Sequence, residues 1–288
     1  MIVALREGRA VLNRLPLAAR IAALVLALFL LAALAAPWLS PLDPARQTLL
    51  ARLRPPGFTT AAGVTYWLGT DDLGRDLYAR LLHGARLSIA IAVLSVVLSC
   101  VVGTAVGMAA AWFRGVTEIV LMRLVDIMMS IPAILLAVLS VAVLGPGLLN
   151  LVIVLGLTRW PRYARVAYGQ TLQSATLPYV KAAELAGVRA PRLLLRHILP
   201  NIAGPLLVVV TAEFGLMILF EAGLSFLGLG IQPPDPSWGS ILSVGRNYLE
   251  RAWWMTAFPG ACLFMLVLSV NVLGDALRDH LDPRAQGR

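Results

Sequence analysis

The sequence has little charge. Only 14% of its 288 residues are Asp, Glu, Lys or Arg, against 59% hydrophobic residues and a mean hydropathy of +0.82. Soluble domains carry about 25% charged residues. So little charge cannot cover a soluble fold of this size. It is also segregated, with long uncharged runs between a few crowded loops, as expected of a chain whose main solvent is lipid. Cysteine is scarce. Cys100 and Cys262 both sit in apolar runs, where a thiol packs rather than forming a disulfide or a metal site. The three histidines are scattered and form no ligand set. A G-x-x-x-x-G-K-[ST] phosphate loop is missing, so this chain is not expected to bind ATP. No alternating strand pattern appears. A lipid-embedded chain must satisfy its backbone internally, so the fold is expected to be an all-α integral membrane protein.

About six apolar stretches are long enough to span a bilayer, which takes about 20 residues. They run over 18–39, 87–113, 118–144, 148 onward, 202–229 and 254–273. Pro37 and Trp38 should end the first. The fourth meets Arg159 after eleven residues and must continue as a helix past Trp160, with its arginines reaching toward headgroups. Arg6, Arg9, Arg14 and Arg20 precede the first stretch, and Ala33-Leu34-Ala35 resembles a cleavage site. A retained first helix is nonetheless simpler than a cleaved signal peptide, because the apolar run is long and many spans follow.

The net charge of +9 is read as loop orientation, not nucleic-acid binding. With the N-terminus inside, sixteen basic residues fall on inside segments and eight on outside ones. This favours cytoplasmic N- and C-termini. Two long segments then stand out, 40–86 outside and 160–201 inside, and long loops tend to carry function. In the inner one, Pro178 can open a short helix, Gly187 can close it, and Pro191 can open a second helix that Pro200 stops. The small residues Ala182, Ala183 and Ala186 suit either a helix docked in a partner's groove or one lying on the membrane surface.

Three acids fall in the interior of spans. Asp126 lies one turn from Arg123 and is expected to form a local ion pair. Glu221, near an outer end, suits a gate or a structural contact. Glu213 is near mid-span, where an acid costs roughly 2.5–3.5 kcal/mol. It must face a wet cavity or a polar partner. The partner-subunit interface is favoured over the pore, because no second pore-facing charge is evident at that depth.

Several segments resemble a known family. Ala182-Ala183, Gly187 and His197-Ile198-Leu199-Pro200, with Tyr179 and Lys181 beside them, are similar to the EAA loop of binding-protein-dependent ABC importer permeases. Lys181 departs from that pattern, since the family carries glutamate there. Gly69-Thr70-Asp71-Asp72-Leu73-Gly74-Arg75-Asp76 resembles the signature of the C-type permease subunit of dipeptide, oligopeptide and nickel importers. So do Glu221 to Gly230, Pro236-Ser237-Trp238-Gly239, and Leu273-Gly274-Asp275 through Asp282-Pro283-Arg284. The resemblance implies a type I ABC importer permease fold. An N-terminal helix with its external segment (1–86) would precede a permease core (87–288), whose 160–201 loop couples to a separate ATPase. It also implies a homologous B-type permease, two ATPase subunits that bind ATP and Mg, an external substrate-binding protein, and a bacterial inner membrane. An ion-coupled secondary transporter should show an inverted repeat with helices broken at mid-membrane, and none is evident. A membrane enzyme would need a nucleophile–base pair or metal cluster at one depth. A purely structural assembly subunit would give complexes without flux.

Overall fold

A computed structural model describes residues 16–40 and 42–281. Arg6, Arg9, Arg14 and the Asp282-Pro283-Arg284 stretch lie outside the described residues. The chain is helical almost throughout: α1 (Leu17–Leu39), α2 (Leu77–Phe113), α3 (Gly115–Ser130), α4 (Ala133–Leu144), α5 (Leu148–Ser174), α6 (Pro178–Leu185), α7 (Ala190–Leu193), α8 (Leu199–Phe226), α9 (Trp238–Gly245) and α10 (Trp254–Leu281). The departures from all-α expectation among the described residues lie in the 40–86 segment: a hairpin of two-residue strands, β1 (Phe58–Thr59) paired antiparallel with β2 (Thr65–Tyr66), and a single antiparallel bridge between Thr70 and Asp76. Pro37 does not end α1, which runs on to Leu39.

Among the described residues four helices are long and apolar enough to cross a membrane: α1, α2, the run Ala190–Phe226, and Trp254–Asp279. The expected third span is broken. Its halves, α3 and α4, meet at about 90° where Pro132 interrupts the helix. They form at most one further span. The expected fourth, α5, is 27 residues long but is charged at Arg159, Arg162 and Arg165. Pro200 does not stop a helix. Leu194–Ile198 forms a π-turn in which the Leu199 N–H reaches back to the Leu194 carbonyl, and the chain passes through Pro200 into α8. The wider turn makes room where a proline ring would crowd an α-helix.

The chain divides into two compact units, each built from separated stretches. Of the described residues, one comprises 16–40, 42–92, 146–148 and 215–277; the other comprises 93–145, 149–214 and 278–281. In the first, α1 buries only small residues, Ala19, Ala22, Ala33 and Ala36, and exposes Leu24, Leu28, Leu31 and Leu34. An apolar face of that kind suits lipid. Trp238 is its largest fully buried residue. The indole N–H donates to the Leu81 carbonyl at 2.9 Å, and Phe29 meets the ring edge-on at 5.7 Å.

In the second unit α2 and α5 approach closely. Ser99 Oγ donates to the Gly156 carbonyl at 2.8 Å. A Cβ on Gly103 would fall 2.6 Å from Tyr163 Cβ, and one on Gly107 would fall 2.9 Å from Ala167 Cβ. These two glycines, four apart, let the backbones touch. Gly103→Leu is therefore expected to drive the helices apart, cutting the yield of folded protein at least severalfold through an overpacking cost of about 1–3 kcal/mol or more. Yield and thermal midpoint in detergent check this; wild-type values for both would contradict the close contact.

Candidate functional site

The 178–200 loop folds as two short helices with a glycine hinge. Pro178 opens α6 at its first position, where its missing N–H costs nothing. Gly187 adopts φ +78°. Its N–H donates to the Glu184 carbonyl at 3.0 Å, and the Val188 N–H donates to the Ala183 carbonyl at 3.1 Å. This pair of bonds is the Schellman closure. Pro191 sits at the start of α7.

One side of the loop is anchored. Val180, Leu193 and Ile198 are fully buried against Met108, Tyr163, Ala167 and Ile202. Asn201 Nδ2 donates to Ser174 Oγ at 2.9 Å, tying the loop's two ends together, and the Tyr179 hydroxyl reaches the His197 carbonyl at 3.4 Å. The other side is free within this chain. Lys181, Ala182, Glu184, Ala186 and Gly187 are exposed, and Leu185 is 89% exposed. Lys181 pairs with Glu184 at 3.5 Å, one turn on. At this exposure the pair contributes little stability. Its consequence is that the substituted position carries a locally balanced charge.

The 69–76 signature is a buried clasp. Thr70 Oγ1 accepts from the Arg54 N–H at 2.8 Å and donates to the Ala51 carbonyl, while the Thr70 carbonyl accepts from Trp254 Nε1 at 3.1 Å. Asp71 accepts the Leu73 and Arg75 backbone N–H groups, each at 2.9 Å, and Arg75 Nε at 2.6 Å. Arg80 Nε lies 3.4 Å from the same carboxylate. Gly69 and Gly74 take φ of +80° and +71°. A Cβ on Gly69 would fall 2.6 Å from the Arg54 carbonyl, so glycine is required there twice over. Asp76 Oδ2 accepts the Ala79 N–H at 3.0 Å at the start of α2. Burial pushes the Asp76 carboxyl above its ordinary range, and the backbone donors of Ala79 and Tyr78 partly offset this. Burial, then the neighbouring Asp71 charge, pushes Asp72 up too. Arg75 and Asp76 are each only 5% exposed, so the signature is a structural seat and not a displayed surface.

Acids within the helices have partners on distant stretches of the chain. Glu213, 1% exposed near the middle of α8, is held by Arg159 through two bonds of 2.7 and 2.8 Å and by Arg162 at 3.2 Å. A second charge at its level does exist, then, and it comes from α5 of this same chain. Arg159 is a charge-neutralising partner inside the fold, not a residue of an inside loop. Without such a partner Glu213 would cost roughly 2.5–3.5 kcal/mol in a bilayer core. Asp126 is paired with Arg165 rather than with Arg123, because a long arginine on the adjacent helix reaches it. Glu118 accepts from the Tyr168 hydroxyl. Arg159, Arg162 and Arg165 recur every three residues, which puts them along one side of α5, and that spacing was a readable signal. Glu221 is fully buried. It accepts from Ser225 Oγ at 2.7 Å, with Ser88 and Ser237 alongside. Among the described residues, no group of three or more His, Cys, Asp and Glu is placed to hold a metal ion.

Known proteins match this architecture. Residues 103–287 match the family described as "Binding-protein-dependent transport system inner membrane component". The di/tripeptide transport system permease protein DppC of Pseudomonas aeruginosa is 44% identical over 91% of this chain and 86% of its own length. Two Escherichia coli proteins, the dipeptide permease DppC and the probable D,D-dipeptide permease DdpC, are 40% and 38% identical over 90% and 92% of this chain and 86% and 87% of their own lengths. An inward-facing structure of the MetNI methionine ABC transporter matches with TM-score 0.57 at 19% identity, covering 72% of this chain and 98% of that one. The shared helical fold and the matched relatives agree: this chain belongs to the inner-membrane permease family of binding-protein-dependent ABC importers, a transport subunit and not an enzyme.

Proposed function

We propose that this permease forms half of the translocation pore of an importer for short peptides. A homologous B-type permease would supply the other half. Two ATPase subunits would bind ATP and Mg, and an external binding protein would deliver the solute. The observation that carries the peptide reading is the 44% identity to a di/tripeptide permease over nearly the whole chain. The observation that supports coupling through 178–200 is the loop's two-sided build, with Val180, Leu193 and Ile198 anchored in the core and Ala182, Leu185 and Ala186 left uncovered. Small side chains around one exposed leucine suit a groove in a partner. An ATPase that moves this loop would move α5 and α8 with it, since the loop joins them directly. The 1–86 and 87–288 division remains part of this proposal, supported by a family match confined to residues beyond 102.

The test is uptake of labelled dialanine, trialanine and free alanine into proteoliposomes holding the complete complex. Di- and tripeptide uptake with little alanine uptake is expected; uptake of none of the peptides would overturn the substrate class.

The termini are proposed to be cytoplasmic. Moving Arg159, Arg162 and Arg165 from loop to helix lowers the inside count by three and keeps the bias. Because Arg75 and Asp76 are buried, the right labelling position is Ala61, exposed in the hairpin turn. Ala61→Cys should react with an impermeant thiol reagent on intact cells stripped of their outer membrane. Reaction only after the inner membrane is opened would invert the topology.

A further inference from the structure

Where α3 breaks into α4, a cavity of about 200 Å³ opens. Met128, Met129, Ile131 and Pro132 line it from the break, and Arg159 and Arg162 line it from α5. Arg159 holds both Glu213 oxygens, at 2.7 and 2.8 Å. Arg162 offers one nitrogen to the same carboxylate at 3.2 Å, yet 55% of its side chain is exposed. One carboxylate faces two guanidiniums. The acids of α3 do not supply a second, because Asp126 takes Arg165 and Glu118 takes the Tyr168 hydroxyl. A half-exposed guanidinium partway along α5 must meet water or an anion, since acyl chains offer it neither.

We propose that this cavity is an anion subsite on the solute path, and that Arg162 receives the carboxylate of the passing solute. Resting on the peptide-importer reading above, the inference places a short peptide's C-terminal carboxylate there. The geometry permits the exchange. Glu213 stays paired through Arg159 when Arg162 turns away, so no buried acid is left bare. The cavity's volume suits a carboxylate with one small side chain and not a whole peptide, which makes it a subsite and leaves the rest of the solute to other surfaces. Arginine suits the task because its planar fork matches a carboxylate and stays charged at any physiological pH.

The test uses the complete complex in proteoliposomes, without other reactive cysteines. Ile131→Cys places a thiol in the cavity wall, and Met129→Cys is the second position; these residues are 40% and 50% exposed. A sulfonated methanethiosulfonate is expected to modify the thiol of Ile131→Cys on the order of tenfold faster, relative to a neutral one, than it does when Arg162→Gln is added. Arg162→Lys should keep the preference. Dialanine should slow the modification, and its C-terminal amide should not. Unreactive thiols at both positions would mean that a partner or lipid covers this face, and would overturn the proposal. So would rates indifferent to reagent charge, a preference that survives Arg162→Gln, or equal protection by acid and amide. Dialanine uptake by the same liposomes separates the two readings. Anion preference without uptake would sink the peptide reading alone, whereas uptake without anion preference would sink the subsite alone.

Discussion

Glu213→Leu should remove most of the folded complex from the membrane. The change leaves Arg159 and Arg162 side by side, with Arg159 only 11% exposed and its two bonds to the carboxylate gone. Breaking a buried pair by deleting one partner costs about 3–5 kcal/mol, because an uncompensated charge stays behind. Arg159→Ala should be milder, since Arg162 is already 3.2 Å from the carboxylate and can take over part of its neutralisation. The double change Arg159→Met with Glu213→Leu should restore much of the yield, because the charge it leaves behind, on Arg162, sits on a side chain that is 55% exposed and is not buried. The measurement is the amount of monodisperse complex after extraction, with its thermal midpoint, for all three variants. The expected order is wild type, then the double variant, then Arg159→Ala, then Glu213→Leu. Equal yields would mean that the pair does not hold α5 to α8.

Gly187→Asp should abolish most transport while leaving the protein inserted and assembled. A Cβ at this position meets nothing within 4 Å, so the chain itself has room for the side chain. The cost within the chain is conformational: φ is +78°, and a left-handed residue with a Cβ loses about 1–2 kcal/mol. The larger effect is at the docking face, where a carboxylate would be forced into whatever groove receives Ala182, Leu185 and Ala186. Uptake is expected to fall at least about tenfold, equivalent to about 1.4 kcal/mol, while ATP hydrolysis continues uncoupled. Gly187→Asn, which tolerates the left-handed region without the charge, should retain more uptake than Asp. Full-rate uptake by the Asp variant would remove 178–200 from the coupling role.

Much of the fold was legible because its signals are local. Apolar length marked α1, α2 and α10, Pro178 marked the start of the loop's first helix to the residue, and Gly187 and Pro191 marked the turn between its two helices. What failed needed knowledge of neighbours. Pro132 and Pro200 are both prolines in helical runs, yet one breaks its helix by about 90° and the other is passed through a π-turn. A sequence window cannot tell which, since the outcome depends on whether the backbone can widen locally. The same limit explains the charges. The i, i+3 spacing points Asp126 to Arg123, but its partner is Arg165, 39 residues away; the partner of Glu213 is Arg159, 54 residues away. Local spacing reads i, i+3 pairs well and interhelical pairs poorly. The 69–76 signature was recognisable by pattern, but its burial was not, because Trp254 and Arg54 complete it from distant stretches.

ATP-driven import is tested most directly by one measurement. Labelled dialanine uptake is followed in proteoliposomes containing the complete complex and its binding protein, with ATP on the ATPase side or with an imposed proton or sodium gradient and no ATP. Uptake that requires both ATP and the binding protein, and that persists when ionophores collapse every gradient, is the predicted result. Uptake driven by a gradient without ATP would contradict it.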